Sequence, residues 1–199
     1  MDFRHEWKHA ITFGDLLALR SRLGAVMETD RHAVGGKYVI RSIYFDDLND
    51  SVLREKTDGV NDREKFRLRY YNGDAGWILL EKKSRTGGLC SKERAEVSLE
   101  EVNRILKGDL PASDAGTPGE KTLLQELCMK MTCRGLRPKT IVEYTRIPFV
   151  YTPGNVRVTL DYRLRTGLCS TDFLDPQSVT VPGTRTAAFS KYAACRIYD

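Results

Sequence analysis

Polar and apolar residues alternate along several segments of this chain, and a period of two residues is typical of β-strands with one buried side. The pattern is clearest at residues 62–71, where cations occupy every second position. These cations are Arg63, Lys65, Arg67 and Arg69, and the residues between them are Glu64, Phe66, Leu68 and Tyr70. Similar patterns predict strands at residues 3–9, 38–45, 77–84, 88–98, 139–151 and 155–165.

Short turns connect the strands in the middle of the chain. Asn72-Gly73-Asp74 follows the strand at 62–71, and Thr86-Gly87-Gly88 follows the strand at 77–84. Glycine-containing turns of this length join antiparallel neighbours. The sequence therefore predicts an antiparallel meander over residues 62–98.

Capping residues predict the helices. Thr12 and Asp15 form a capping box at the start of one helix, and Ser98 and Glu101 form another. The remaining helices are predicted from Asp50 or Ser51 to before Gly59, from about 120 to 133, and from Phe189 to Tyr198. The predicted class is α+β, an antiparallel sheet or barrel with helices packed outside it.

Four other predicted strands repeat the alternation of charged and apolar positions. The charged sides carry Arg4, Glu6 and Lys8; Glu81 and Lys83; Lys92, Arg94 and Glu96; and Arg157, Thr159, Asp161, Arg163 and Arg165. Two architectures fit: an open sheet with its charges in water, or a barrel with its charges inside. Two cations about 4 Å apart cost about 4 kcal/mol at an effective dielectric constant near 20. An enclosed set of cations therefore favours a polyanion such as a phosphate chain, which arginine and lysine bind well.

Composition and charge agree with a globular protein that binds an anion. The chain has 199 residues, 41% hydrophobic residues and a formal net charge of +5, so we expect a single domain over residues 1–199. There is no apolar run long enough to span a membrane, and the first residues lack the apolar core of a signal peptide, which predicts a cytoplasmic location.

Other kinds of site have little support in the sequence. The five cysteines contain no C-x-x-C pair, so neither a zinc site nor a disulfide framework is expected. Gly35-Gly36-Lys37-Tyr38 lacks the spacing of a P-loop. Trp7 and Trp77 are interpreted as packing residues, and a nucleic acid is not the expected partner.

A series of short motifs follows in a fixed order along the chain. They are His5-Glu6-Trp7-Lys8, Arg41-Ser42-Ile43-Tyr44-Phe45-Asp46, Arg67-Leu68-Arg69-Tyr70, Leu80-Glu81-Lys82-Lys83, Ser91-Lys92-Glu93-Arg94, Val142-Glu143-Tyr144-Thr145-Arg146, Val156-Arg157-Val158-Thr159-Leu160-Asp161-Tyr162 and Phe189-Ser190-Lys191-Tyr192. Together they resemble the VTC domain, the catalytic domain of the vacuolar transporter chaperone polyphosphate polymerase. That domain belongs to the triphosphate tunnel metalloenzymes.

The resemblance implies an eight-stranded antiparallel tunnel that uses ATP, with Mn²⁺ or Mg²⁺, to extend inorganic polyphosphate. The catalytic residues that it implies are Lys8, Arg67, Arg69 and Lys191. The phosphate-binding residues that it implies are Lys83, Lys92, Arg94, Arg146, Arg157 and Ser190. Glu6, Glu81, Glu96 and Asp161 are the carboxylates expected to hold a metal or to orient cations. Glu143 has the opposite parity to Tyr144 and receives no metal role.

The chain departs from the family pattern near its end. Relatives carry a strand with an Ile-Leu-Glu-Val-Lys-like pattern, whose glutamate is a metal ligand, and a helix after it. This chain has no such segment between about 175 and 186, so the tunnel is expected to lack one strand. Two alternatives to a polymerase therefore stay open: a domain that binds triphosphate or polyphosphate without turnover, and a triphosphatase of the same superfamily.

Overall fold

The strands and helices lie in three described ranges of the chain. The computed structural model describes residues 6–109, 122–183 and 192–198, with the backbone alone for Glu6, residues 192–196 and Tyr198. The strands are β1 (Glu6–Thr12), β2 (Glu28–Thr29), β3 (Tyr38–Asp46), β4 (Arg63–Tyr71), β5 (Asp74–Thr86), β6 (Leu89–Val97), β7 (Arg137–Tyr151), β8 (Val156–Thr166), β9 (Val181–Pro182) and β10 (Tyr192–Tyr198). The helices are α1 (Phe13–Val26), α2 (Ser51–Thr57), α3 (Leu99–Lys107) and α4 (Leu123–Arg134). No helix in these ranges is long and apolar enough to cross a membrane.

The strands form one antiparallel sheet. Its eight longer strands lie in the order β1-β10-β8-β7-β3-β4-β5-β6, while β2 pairs with β7 and β9 pairs with β8. Strands β4, β5 and β6 are successive neighbours, which confirms the predicted meander. The α+β class with an antiparallel sheet is therefore confirmed.

The two predicted capping boxes are present. The Thr12 side chain accepts a hydrogen bond from the Asp15 backbone N–H at 3.1 Å, and Ser98 accepts one from the Glu101 backbone N–H at 3.2 Å. Helix α2 begins differently from the prediction, because its N-cap residue, Asp50, makes no side-chain capping bond.

The N-terminus of α2 is held by the end of strand β3. The Asp46 carboxylate accepts hydrogen bonds from the backbone N–H groups of Val52 and Leu53 at 2.9 and 3.1 Å. These are N–H groups that a helix leaves without an internal partner. A carboxylate that precedes the helix by several residues thus supplies the cap that we expected from Asp50 or Ser51.

All four helices pack against the same side of the sheet. One core cluster joins buried residues of β3 to β7, including Phe66, Leu68 and Tyr70 of β4, with α3 and α4. Val52 of α2 packs against this cluster. A second cluster joins Leu16 of α1 to Phe149 of β7 and neighbouring residues. The alternation in residues 62–71 therefore has the predicted consequence: its apolar positions face the helices.

The last element of the chain is a strand, and the prediction of a helix over Phe189–Tyr198 was wrong for residues 192–198. Strand β10 lies between β1 and β8, and pairs with both. A short apolar run has no period that separates a helix from a buried strand. With β10, the described sheet has eight longer strands. Residues 189–191 of the predicted helix lie outside the described part of the chain.

The segment that follows β8 packs against the helical side of the sheet. Phe173 is fully buried, and its carbonyl accepts a hydrogen bond from the Tyr70 hydroxyl at 3.0 Å. The Arg41 guanidinium donates to the Asp175 carbonyl at 2.5 Å and to the Glu143 carboxylate at 2.9 Å. Residues 167–178 thus contribute the buried ring of Phe173 to the core.

Replacement of Phe173 tests whether residues 167–178 are part of the core. We expect Phe173→Ala to lower the free energy of unfolding by about 3 to 5 kcal/mol, the usual cost of emptying a buried phenylalanine site. Chemical denaturation measures this change. Val179→Ala, directly after this segment, is the control, because Val179 is 80% exposed and its replacement should change stability by less than about 0.5 kcal/mol. Equal effects of the two variants would contradict the packing described here.

Candidate functional site

The side of the sheet opposite the helices carries the charged residues. Cross-strand partners point to the same side of a sheet. Arg67 of β4 pairs with Tyr44 of β3 and with Glu81 of β5, which pairs in turn with Arg94 of β6. We call this side, opposite the helices, the cationic face.

The residues of the cationic face form successive rows across β3 to β6. Along β4 these rows are about 7 Å apart, because each row is two residues from the next. From one end to the other, the rows are Ile40 with Tyr71; Ser42, Arg69, Leu79 and Glu96; Tyr44, Arg67, Glu81 and Arg94; Lys65, Lys83 and Lys92; and Arg63, Arg85 and Cys90. The positive charge of the rows thus increases from the Tyr71 end to the lysine row.

Glu81 is the carboxylate at the centre of the cationic face. Its Oε2 lies 2.6 Å from Nη2 of Arg67 and 3.5 Å from Nη1 of Arg69, and its Oε1 contacts Nζ of Lys92. The carboxylate is 2% exposed. Burial alone would raise the pKa of Glu81, but Arg67, Arg69 and Lys92 outweigh it and lower the pKa to about 2. Glu81 therefore stays ionised and holds three cations together.

Tyr44 is the second residue that organises these cations. Its hydroxyl accepts a hydrogen bond from Nη1 of Arg67 at 2.8 Å, and Nζ of Lys65 lies 5.6 Å from the centre of its ring. Burial would raise the pKa of Tyr44, but Arg67, Lys65 and Arg69 lower it to about 7. Burial lowers the pKa of Lys65 to about 8, and neighbouring cations contribute in the same direction.

Tyr144 connects the residues of the cationic face on β7 and β8 with those on β4. Its hydroxyl accepts a hydrogen bond from Nη2 of Arg69 at 3.1 Å, across the intervening strand β3. The guanidinium of Arg146 lies 5.3 Å from the centre of the Tyr144 ring. Arg146 also donates two hydrogen bonds, of 2.6 and 2.8 Å, to the Asp161 carboxylate. A bidentate pair of this kind fixes the plane of the guanidinium.

The remaining residues implied by the resemblance are more peripheral. Lys8 is an exposed residue of β1 and pairs with Arg196 of β10, next to Thr159. Nη2 of Arg157 lies 3.6 Å from the Asp30 carboxylate. Lys92, Arg94 and Glu96 are exposed on β6, while Lys83 is half-buried. Ser190, Lys191 and the side chain of Glu6 lie outside the described residues, so their roles stay predictions.

Arg165 does not lie on the cationic face, contrary to the alternation at 155–165. The register between β7 and β8 shifts by one residue between Thr145 and Glu143, and Arg165 pairs with Glu143. Arg163 lies in this shift with a φ of 53°, a left-handed conformation that non-glycine residues adopt rarely. The extra residue is a β-bulge, and it turns Arg165 toward the helical side. There Arg165 donates to the Thr180 hydroxyl at 2.7 Å.

The described carboxylates do not fit a divalent cation. Within residues 6–109, 122–183 and 192–198, no group of three or more His, Cys, Asp and Glu side chains could hold a metal ion. Glu81 is engaged by Arg67, Arg69 and Lys92, and Asp161 by Arg146. Metal ligands need oxygen atoms that converge on one point. The described part of the site therefore consists of cations and their counter-ions.

Several residues of this arrangement received no role from the sequence. Tyr44 and Tyr144 were named in motifs, but nothing in a strand pattern shows that a tyrosine hydroxyl accepts from an arginine on another strand. Ser42, whose hydroxyl accepts from Nε of Arg69 at 3.0 Å, has the same parity as Tyr44 and could have been found from it. Lys65 lies in the cationic alternation, and its spacing from Arg67 was the available signal.

Loss of the central carboxylate should leave three cations without their shared counter-ion. We expect Glu81→Gln to lower the free energy of unfolding by about 3 kcal/mol, as when one member of a buried ion pair is removed. Thermal or chemical denaturation measures the change. Glu93→Gln on the helical side of β6 is the control, because Glu93 makes a longer, more exposed contact of 3.6 Å with Lys82, which is worth at most about 1 kcal/mol. Equal losses in the two variants would contradict a central role for Glu81.

Ionisation of Tyr44 should be visible near neutral pH. An ultraviolet titration of the folded protein is expected to show one tyrosine ionising near pH 7, because the pKa of Tyr44 is lowered to about 7. Tyr44→Phe should remove this step, whereas Tyr151→Phe should leave it in place. A lowered folded pKa adds stability as the pH rises from about 7 toward 10, the ordinary tyrosine value, and this contribution is absent below pH 7. A wild-type titration without a step near pH 7 would show that the cations do not act on Tyr44 in this way.

Comparison with known proteins places these observations in a family. A sequence model of the VTC domain matches residues 3–195. A search of curated proteins found no match. Among solved structures, a candidate adenylate cyclase from Bacillus halodurans has a TM-score of 0.55 and 13% identity, over 98% of this chain and 79% of that chain.

Two proteins from Pyrococcus horikoshii OT3 were also found. They have TM-scores of 0.45 and 0.46, with 14% and 12% identity, over 98% of this chain and 77% of theirs. The Bacillus likeness shows a shared fold, and the match to the family model extends over nearly the whole chain. The chain belongs to the VTC domain family and has a triphosphate-tunnel-like fold.

Proposed function

We propose that the cationic face binds a linear phosphate chain, that of ATP or of inorganic polyphosphate, and that the domain transfers the terminal phosphate of ATP to polyphosphate. The observation that carries this proposal is the set of cationic rows that Glu81 and Tyr44 hold in place. Five cations occupy the last two rows, and none of the positions in these rows is a carboxylate.

Electrostatics favours a polyanion as the ligand of this arrangement. Like charges directly opposite each other in a sheet destabilise it, and Lys65, Lys83 and Lys92 are direct cross-strand neighbours. An anion with charges along its whole length relieves the repulsion in several rows at once. Arginine binds phosphate oxygens with two parallel hydrogen bonds, and lysine contributes a point charge.

The transfer reaction needs no nucleophile from the protein. A terminal oxygen of the polyphosphate attacks the γ-phosphorus of ATP and forms the new P–O bond. The bond from that phosphorus to the bridging β–γ oxygen breaks, and ADP leaves with the electron pair. The role of the protein is to position the two chains and to neutralise their charge. We assign this role to Lys8, Arg67, Arg69 and Lys191, with Lys83, Lys92, Arg94, Arg146, Arg157 and Ser190 as further phosphate ligands.

Binding without turnover is the second candidate function. It is favoured by the engagement of Glu81 and Asp161 with arginine and lysine, which leaves the described carboxylates poorly placed to hold Mn²⁺ or Mg²⁺. A triphosphatase would use the same face, and its product would be inorganic phosphate. The two experiments that follow separate these functions.

Binding should depend on Arg67 and need no added metal. In buffer with a chelator, we expect Arg67→Ala to weaken tripolyphosphate binding at least about tenfold, since a hydrogen bond to a charged group contributes about 1.5 to 3 kcal/mol. Isothermal titration calorimetry measures the affinity. Lys107→Ala removes one exposed charge from α3, on the helical side, and should change the affinity little. Equal affinities of the two variants would contradict the proposed face.

Turnover is tested by incubating the protein with ATP and Mn²⁺ and separating the products on a gel. We expect long polyphosphate from the wild type and none from Arg67→Ala, with Lys107→Ala retaining the activity. Release of inorganic phosphate alone would identify a triphosphatase. Tripolyphosphate binding with no product would identify the non-catalytic candidate, and the absence of both binding and product would overturn the proposal.

A further inference from the structure

The end of the cationic face with the fewest charges carries a cluster of aromatic rings. Tyr71 of β4 lies two residues beyond Arg69, and its ring lies 6.0 Å from that of Trp77, with an angle of 30° between their planes. The ring of Tyr38 meets Tyr71 edge-on at 5.4 Å. Tyr38, Tyr71 and Trp77 are the aromatic cluster. Trp77 was interpreted as a packing residue, but it is 46% exposed.

The aromatic cluster is continuous with the cations. The guanidinium of Arg69 lies 5.9 Å from the centre of the Tyr71 ring, and Tyr38 pairs across the sheet with Arg146. The distance along β4 from Tyr71 to Arg67 is four residues, or about 14 Å. An exposed ring, a guanidinium and then a row of cations thus follow each other along one direction.

We propose that Trp77 and Tyr71 form a stacking platform for the base of a nucleoside triphosphate, which binds with its terminal phosphate toward the lysine row. This inference rests on the proposed function and adds the nucleoside subsite and the direction of the ligand. A purine ring stacks on an indole through its π-face, whatever its hydrogen-bonding edges are. The exposed part of Trp77 is available for such a contact, while Tyr71 supports the indole.

The charge of the rows determines the direction. The row of Arg69 contains one cation and one carboxylate, the row of Arg67 contains two cations and Glu81, and the next row contains three lysines. The terminal phosphate of a nucleoside triphosphate carries more negative charge than the inner phosphates, because it has an additional ionisable oxygen. It is therefore attracted most strongly to the lysine row, which leaves the base at Trp77.

A ligand without a base separates the two parts of the site. We expect Trp77→Ala to weaken ATP binding about tenfold and to leave the affinity for tripolyphosphate unchanged. Trp77→Phe, which keeps an aromatic face, should retain most of the ATP affinity. Trp7→Ala is the matched control, because Trp7 is 47% exposed and has the opposite parity to Lys8 on β1. It should change neither affinity.

Fluorescence tests the contact directly in a folded protein. The chain has two tryptophans, so Trp7→Phe leaves Trp77 as the remaining one. ATP is expected to quench its emission at saturation, and GTP should do so at a similar concentration, whereas saturating tripolyphosphate should not. An unchanged ATP affinity in Trp77→Ala, or the same fluorescence response to ATP and tripolyphosphate, would overturn the platform while leaving phosphate binding intact. If neither ligand binds the wild type, the proposed function fails and the platform fails with it.

Discussion

Repulsion among cations on one side of a sheet is the constraint on which this structure depends. Alternation in β4 places Arg63, Lys65, Arg67 and Arg69 together, and their neighbours on β5 and β6 add further lysines and arginines. The protein limits the cost with a few well-placed acceptors. Glu81 holds three of the cations, and the hydroxyls of Tyr44 and Tyr144 each accept from one arginine. The acceptors fix the geometry of the cations and cancel only part of their charge, since the row of Lys65, Lys83 and Lys92 and the row of Arg63 and Arg85 contain no carboxylate.

The helical side of the sheet determines what the cationic face displays. Because side chains alternate, a shift of one residue in register would exchange the two sides of a strand. Burial of Phe66 and Leu68 under the helices therefore also specifies the positions of Arg67 and Arg69. The segment around Phe173 also packs on this side of the sheet. Packing on one side and the arrangement of cations on the other are thus consequences of the same register.

The sequence was sufficient for the features that depend on local pattern. The alternation predicted the sides of Arg67, Arg69 and Glu81, and the capping boxes at Thr12 and Ser98 begin their helices as expected. Features that depend on distant contacts were missed. The bulge places Arg163 in the left-handed conformation, and no glycine at this position indicates it in the sequence. The bulge puts Arg165 on the side opposite to the predicted one. The final segment is a strand because it pairs with β1 and β8. The local sequence does not show this pairing, so the segment was mistaken for a helix.

The central carboxylate also shows that ion pairing and metal binding place different demands on one glutamate side chain. A glutamate that holds two arginines and a lysine has a lowered pKa and few oxygen lone pairs left for another ligand. A glutamate that holds a divalent ion needs those lone pairs directed at one point. The same side chain cannot satisfy both arrangements at once. In this chain the described geometry favours the arginines and the lysine, so Glu81 acts as their shared counter-ion.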